Sequence, residues 1–142
     1  MAGEIERATE GIIAANKRDL ERMNPDDPKY DRLFLNEQRI AAIANDMRNV
    51  AKLQSPLNLV LEERTLPNHL QMRKVSVPMG VIGIIYEARP NVTLDAFVLC
   101  FKAGSACVLK GGSDAQFSNE TLVRVITTTL QQHSIPVEAV YL

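Results

Sequence analysis

The chain has 142 residues, 46% of them hydrophobic and 23% charged, and 16 Lys+Arg against 17 Asp+Glu give a formal net charge of −1. That composition is ordinary for a globular protein and excludes a disordered chain. The charge balance leaves no basic footprint for nucleic acid or an anionic membrane.

From Gly3 to about Met23, Ile5, Ala8, Ile12 and Ala15 recur at helical spacing and predict one amphipathic helix. Pro25 and Pro28 then end it in a turn. A second helix is predicted from about Asn36, its N-cap, to Leu53. Ile40, Ile43, Ala44, Met47, Val50 and Ala51 form its stripe, and Ser55-Pro56 stops it. Leu57–Leu66 and Leu70–Val77 read as the strands of a hairpin turning through Pro67-Asn68-His69.

The remaining elements alternate. Val81–Tyr86 is a continuous apolar run of the kind seen in strands buried on both faces. A helix apolar nearly all round follows from Thr93 to Ala103, with Gly104 as its C-terminal cap. Ala106–Lys110 reads as a short buried strand. Gly111-Gly112, a helix to about Gln132 and a last strand starting in VEAVYL complete the series. The order β-α-β-α-β with short connections predicts an α/β fold with a parallel sheet and right-handed crossovers. The expected divisions are a helical segment 1–56, a hairpin 57–77 and a nucleotide-binding portion 78–142.

Parallel sheets bind ligands beyond the carboxyl ends of their strands, so two turns matter. The first, Tyr86 to Asn91, delivers Glu87, Arg89 and Asn91 to the sheet edge. Arg89 offers a planar fork for a carboxylate or phosphate, and the Asn91 amide can donate to a developing oxyanion. The plainer alternative makes Glu87 and Arg89 solvated turn charges and Asn91 a helix cap. The second turn, Leu109 to Gln116, places Lys110 and two glycines beside a helix start. Ser113 and Gln116 have capping-box spacing there, so helix N–H groups are expected to face the same space. The plainer alternative is an ordinary turn with an exposed lysine.

No Walker sequence and no full G-x-G-x-x-G is present; Gly80 and Gly83 alone are a weak match. Cys100 and Cys107 lie among apolar neighbours and read as core rather than as nucleophiles or a disulfide framework. His69 and His133 lie far apart, with no metal-ligand spacing. MAGEIERATE lacks the apolar core of a signal peptide, and no run reaches the ~18 apolar residues of a membrane span, so a cytoplasmic protein is expected.

The run VPMGVIGIIYEARPNVTLDA, then LCFKAG and CVLKGGSDA, strongly resembles the γ-glutamyl phosphate reductases of the aldehyde dehydrogenase superfamily. IAAIANDMRNVAKLQSP also fits their lead-in to the cofactor domain. The resemblance spans the chain and roughly the first third of such an enzyme. It implies the NADPH-dependent reduction of L-glutamyl 5-phosphate to glutamate 5-semialdehyde in proline biosynthesis, through a cysteine thioester. The catalytic cysteine is then expected beyond Leu142, matching neither Cys100 nor Cys107, and these residues alone are expected to be inactive.

The resemblance also distributes roles. Tyr86, Glu87 and Ala88 would line the nicotinamide half of the cofactor. Arg89 aligns with the superfamily's oxyanion asparagine, and Asn91 stands two residues later. Of the two, Asn91 is favoured for the oxyanion and Arg89 for an anionic group of the substrate. Lys110 would hold the adenosine ribose, beside Gly111 and Gly112. Ser113 stands where NADH-preferring relatives carry a glutamate, and its lack of charge favours a 2′-phosphate and hence NADPH. The hairpin matches the element relatives use for dimer contacts, so a homo-oligomer is expected. The alternative from a different class is a non-catalytic nucleotide-binding or interaction module.

Overall fold

The computed structural model describes all residues, Met1–Leu142. Its N-terminus holds two helices where one was expected, α1 (Ala2–Arg7) and α2 (Thr9–Leu20). They part at Ala8, where φ is −86° and ψ is 5°. The Thr9 hydroxyl donates to the Glu6 carbonyl at 2.7 Å, beside the break. The change of direction has a packing reason: α1 leans on α4 and α2 lies along α6, while Ile5 and Ile12 both stay fully buried in one core.

A short helix, α3 (Lys29–Leu33), occupies part of the predicted turn. The Asp27 carboxylate accepts from the Lys29 N–H at 2.8 Å, and Leu33 is fully buried. Helix α4 (Glu37–Lys52) begins as expected, with the Asn36 side chain accepting from the Arg39 N–H at 2.8 Å. Of its predicted stripe, Ile40, Ile43, Ala44 and Met47 are buried, and Ala51 is exposed.

Strands β1 (Val60–Thr65) and β2 (Gln71–Val75) form the hairpin, antiparallel and exposed on both faces. His69 turns it with φ at 66°, and the Asn68 side chain accepts from the Leu70 N–H at 3.2 Å. The register slips between Val60 and Glu62, the bulge behind the imperfect alternation of the sequence there.

The second sheet has the parallel order β3 (Val81–Ile85), β4 (Ala106–Lys110), β5 (Val140–Tyr141). Its crossovers carry helices α5 (Pro90–Lys102) and α6 (Gln116–Gln132). A one-turn 3-10 helix precedes each of α6 and β5. Both crossovers step the same way across the sheet, so right-handedness puts both helices on the same face. Within these 142 residues, helices therefore cover one face of β3 and β4, where the sequence reading expected both to be buried. Cys107 and Leu109 are buried beneath α5 and α6, whereas Val81, Ile85 and Val108 lie on the uncovered face.

Helix α5 starts three residues earlier than predicted, with Pro90 at its first position. It ends as predicted at Gly104, whose φ is 68°. The Gly104 N–H donates to the Phe101 carbonyl at 3.0 Å and the Ser105 N–H to the Cys100 carbonyl at 2.9 Å, a Schellman pattern. A Cβ on Gly104 would meet Leu57 at 3.0 Å, so this glycine also seats the base of the hairpin.

Candidate functional site

Strands β3 and β4 run in register, Ile85 opposite Lys110, so their carboxyl ends lie side by side. One more rung, from the Tyr86 N–H to the Lys110 carbonyl at 3.0 Å, carries the pairing to the edge. After β3 the chain reverses tightly, with the Arg89 N–H donating to the Glu87 carbonyl at 3.0 Å. After β4 come two glycines, Gly112 beside the first turn and Gly111 beside Tyr86 and Asn119 of α6. A Cβ on Gly112 would make ordinary contact with the Glu87 carbonyl carbon at 3.4 Å, so the two turns pass close to each other. A Cβ on Gly111 would lie 2.2 Å from Asn119 Nδ2 and 3.2 Å from the Tyr86 ring, so a side chain there would displace the Asn119 amide.

A buried polar chain ties these turns to both crossover helices. The Thr93 hydroxyl on α5 donates to Asn119 Oδ1 on α6 at 2.8 Å, and the Tyr86 and Thr93 hydroxyls are 2.6 Å apart. Thr93 has one proton, committed to Asn119, so Tyr86 is the donor to Thr93. Thr93 is fully buried and Asn119 is 2% exposed. Burial pushes the Tyr86 hydroxyl above its ordinary value, against the opposing effect of its hydrogen bond with Thr93. Tyr86 therefore stays a neutral donor. Sequence reasoning missed Thr93 and Asn119; the available signal was a polar residue on the apolar side of each helix.

Beyond the end of β4 opens a groove of about 450 Å³, lined among others by Lys110, Gly111, Gly112, Ser113, Asn119 and Glu120. Lys110 Nζ has only the Gly111 carbonyl, at 3.4 Å, and pairs with no carboxylate. Its charge is free for a ligand.

The expected capping box is absent. Gln116 donates to Glu120 Oε1 at 3.0 Å, and Ser113 caps nothing. Asp19 of α2 takes that role from across the core. Its carboxylate accepts from the Phe117 N–H at 3.0 Å, the Ser118 N–H at 2.8 Å and the Ser118 hydroxyl at 2.7 Å. Asn16 completes the cluster, donating to the Ser118 hydroxyl at 3.1 Å and the Leu33 carbonyl at 2.8 Å. The N–H groups expected to face the groove are thus satisfied by a charge the protein carries itself.

The side chains of the first turn do not join this groove. Glu87 and Arg89 are exposed and Ala88 is buried. The Arg89 guanidinium has no ion-pair partner. Asn91 is half-buried and does not cap its helix; its amide donates to Asp95 Oδ2 at 3.2 Å. Burial raises the Asp95 carboxyl above its ordinary value, with the Asn91 hydrogen bond working against the rise. Cys100 and Cys107 are buried, and burial pushes both thiols up, Cys107 to about 11. Neither is a thiolate near neutral pH. No helix is long and apolar enough to cross a membrane.

No family model matches the chain. A gamma-glutamyl phosphate reductase of Chlorobaculum parvum is 61% identical over all 142 residues, which cover 34% of its length. One from Parabacteroides distasonis is 62% identical over 127 residues, 89% of this chain and 31% of the relative. The chain thus spans about a third of the length of the curated relatives it matches. The crystal structure of gamma-glutamyl phosphate reductase from Thermotoga maritima superposes on 99% of the chain with a TM-score of 0.93 at 34% identity, over 34% of its own length. The Saccharomyces cerevisiae enzyme superposes on 99% of the chain with a TM-score of 0.84 at 27% identity, over 38% of its own length.

Proposed function

Since the chain carries the sequence and fold of the γ-glutamyl phosphate reductases along its whole length and about a third of theirs, we propose that it serves the NADPH-dependent reduction of L-glutamyl 5-phosphate to glutamate 5-semialdehyde. Within that reaction these residues bind the cofactor and border the acyl centre. The observation that carries the reading is the stacking of the two strand-end turns, Gly112 against Glu87, with an unpaired Lys110 at the groove.

Such a groove suits a nicotinamide dinucleotide, whose bound form supplies the hydride. Lys110 faces the sugar-phosphate oxygens of its adenosine half, and Gly111 and Gly112 let it approach the backbone. Ser113, unlike a glutamate, adds no carboxylate beside Lys110, which favours a 2′-phosphate. The plugged start of α6 supports the same division of labour: with Asp19 on its N–H groups, the ligand's charge falls to Lys110. Tyr86, Glu87 and Ala88 lie toward the nicotinamide. Arg89 is free for an anionic group of the substrate, and Asn91, oriented through Asp95, donates to the oxyanion. The nucleophilic cysteine is supplied from outside these residues, because both thiols here are buried and protonated. The hairpin, exposed on both faces, serves as the contact between copies of a homo-oligomer.

Titration of the protein with NADPH and NADH tests the reading, with tighter NADPH binding expected. Ser113→Glu should shift the preference toward NADH by roughly tenfold, about 1.4 kcal/mol. An unchanged ratio refutes the role of Ser113, and no binding of either cofactor refutes the reading. Deletion of residues 57–77 should yield monomers by light scattering.

A further inference from the structure

We infer that Asn119 is a ligand-contacting residue, its side-chain amide nitrogen donating to a sugar or phosphate oxygen of the nucleotide held at the end of β4. This rests on the proposed nucleotide reading and adds to it a residue on α6 that no motif marks. Three observations carry it.

The residue is 2% exposed, yet its amide nitrogen donates to nothing in the protein. Its oxygen, by contrast, accepts from Thr93 at 2.8 Å. Every side-chain nitrogen or oxygen sealed from solvent in this fold has a partner, so the amide nitrogen reaches an opening. Asn119 borders the β4 groove. An amide N–H that faces an opening and has no partner in the protein is available to a ligand acceptor.

The amide is also held in one orientation. The chain from the Tyr86 hydroxyl through Thr93 ends on Asn119 Oδ1, which leaves Nδ2 as the end nearest Gly111. A Cβ at Gly111 would sit 2.2 Å from that nitrogen, so glycine there keeps the donor accessible. An oriented donor loses little freedom when a ligand arrives.

Its neighbours define the ligand chemistry. Lys110 supplies a free cation, Ser113 a hydroxyl and Asn119 an amide donor on one groove. The carboxylate in the groove, Glu120, already accepts from Gln116 at 3.0 Å. A cation and directional donors fit an oxygen-rich anionic group such as a ribose phosphate.

Asn119→Asp, nearly identical in shape, keeps an acceptor for Thr93 and replaces the donor by an acceptor. Fluorescence titration should show NADPH affinity falling at least tenfold, with the thermal midpoint held within a few degrees. NADH measured in parallel locates the contact: a larger loss for NADPH places it on the 2′-phosphate, and equal losses place it on the ribose. Asn119→Ser, which retains a shorter donor, should lose less than the aspartate variant. Gly111→Ala should weaken binding in the same order as Asn119→Asp. If the unmodified protein binds NADPH and Asn119→Asp binds it equally well, the inference is overturned while the nucleotide reading stands. If the unmodified protein binds neither cofactor, both fall.

Discussion

Leu109 and Val108 are adjacent on β4 and similar in hydropathy, yet Leu109 is 1% exposed and Val108 is 42% exposed. The same division runs through the whole sheet. On one side Cys107 and Leu109 lie beneath α5 and α6, and on the other Val81, Ile85, Val108 and Tyr141 meet no helix. Nothing in the local sequence distinguishes the two sides. The handedness of the crossovers does, because each right-handed step in one direction returns its helix to the same face. The covered face accordingly holds the stability of the fold, and substitutions on the two faces should differ sharply.

The widest gap is expected between Leu109→Ala and Val108→Ala. The first opens a cavity in the core and should cost about 2–5 kcal/mol in denaturant unfolding, and the second under about 1 kcal/mol. Equal costs would mean that the open face is covered in solution. Thiol labelling gives a second contrast. A thiol held at about 11 instead of the ordinary 9.0 has about a hundredfold less thiolate at neutral pH. Cys107 should therefore label at least a hundredfold more slowly than the new thiol of Val108→Cys, resolved by peptide mass mapping. Both native cysteines should label rapidly in denaturant.

The helix-covered side has its own anchor at the start of α6. Asp19→Ala strands the Phe117 and Ser118 N–H groups and should cost about 2 kcal/mol. Asp19→Asn, which keeps one acceptor, should cost less. Opposite it, Ile85→Lys on the open face should change stability by no more than about 0.5 kcal/mol. It should also reduce any self-association seen by sedimentation.

The smallest effect is a slope against pH. Asp95 lies in the second turn of α5 with its carboxyl raised above 3.8 by burial. Such a group binds its proton more readily in the folded chain than in the unfolded one. Its contribution favours the fold below about pH 3.8 and is lost as pH rises through the higher folded value. Asp95→Asn should remove that fall, which urea titrations between pH 3 and 7 would detect. A slope unchanged by the substitution would place the cause elsewhere.

Where local signals were strong, sequence and fold agree closely. Asn36 starts α4, Ala106–Lys110 is β4 to the residue, and Gly104 ends α5 in the left-handed region it was read for. Hairpin and glycine turn likewise follow from short-range chemistry. Two of the failures share one trait, which is distance along the chain. The split at Ala8 answers to packing on two different helices, and the cap of α6 comes from Asp19, 99 residues before Ser118. Capping-box spacing at Ser113 and Gln116 was present, but the carboxylate from α2 reached those N–H groups instead.

The amino-acid sequence by itself determined the element order, the caps and turns, and the grouping of Tyr86, Arg89, Lys110 and Gly112 at strand ends. These depend on hydrophobic period, backbone permission and hydrogen bonding over a few residues. Tertiary structure alone decided which strand face is covered, which charge caps α6, and that Thr93 and Asn119 meet across 26 residues beneath Gly111. Those outcomes depend on the hand of the crossovers and on which helices come into contact, and neither is written in any local stretch of the chain.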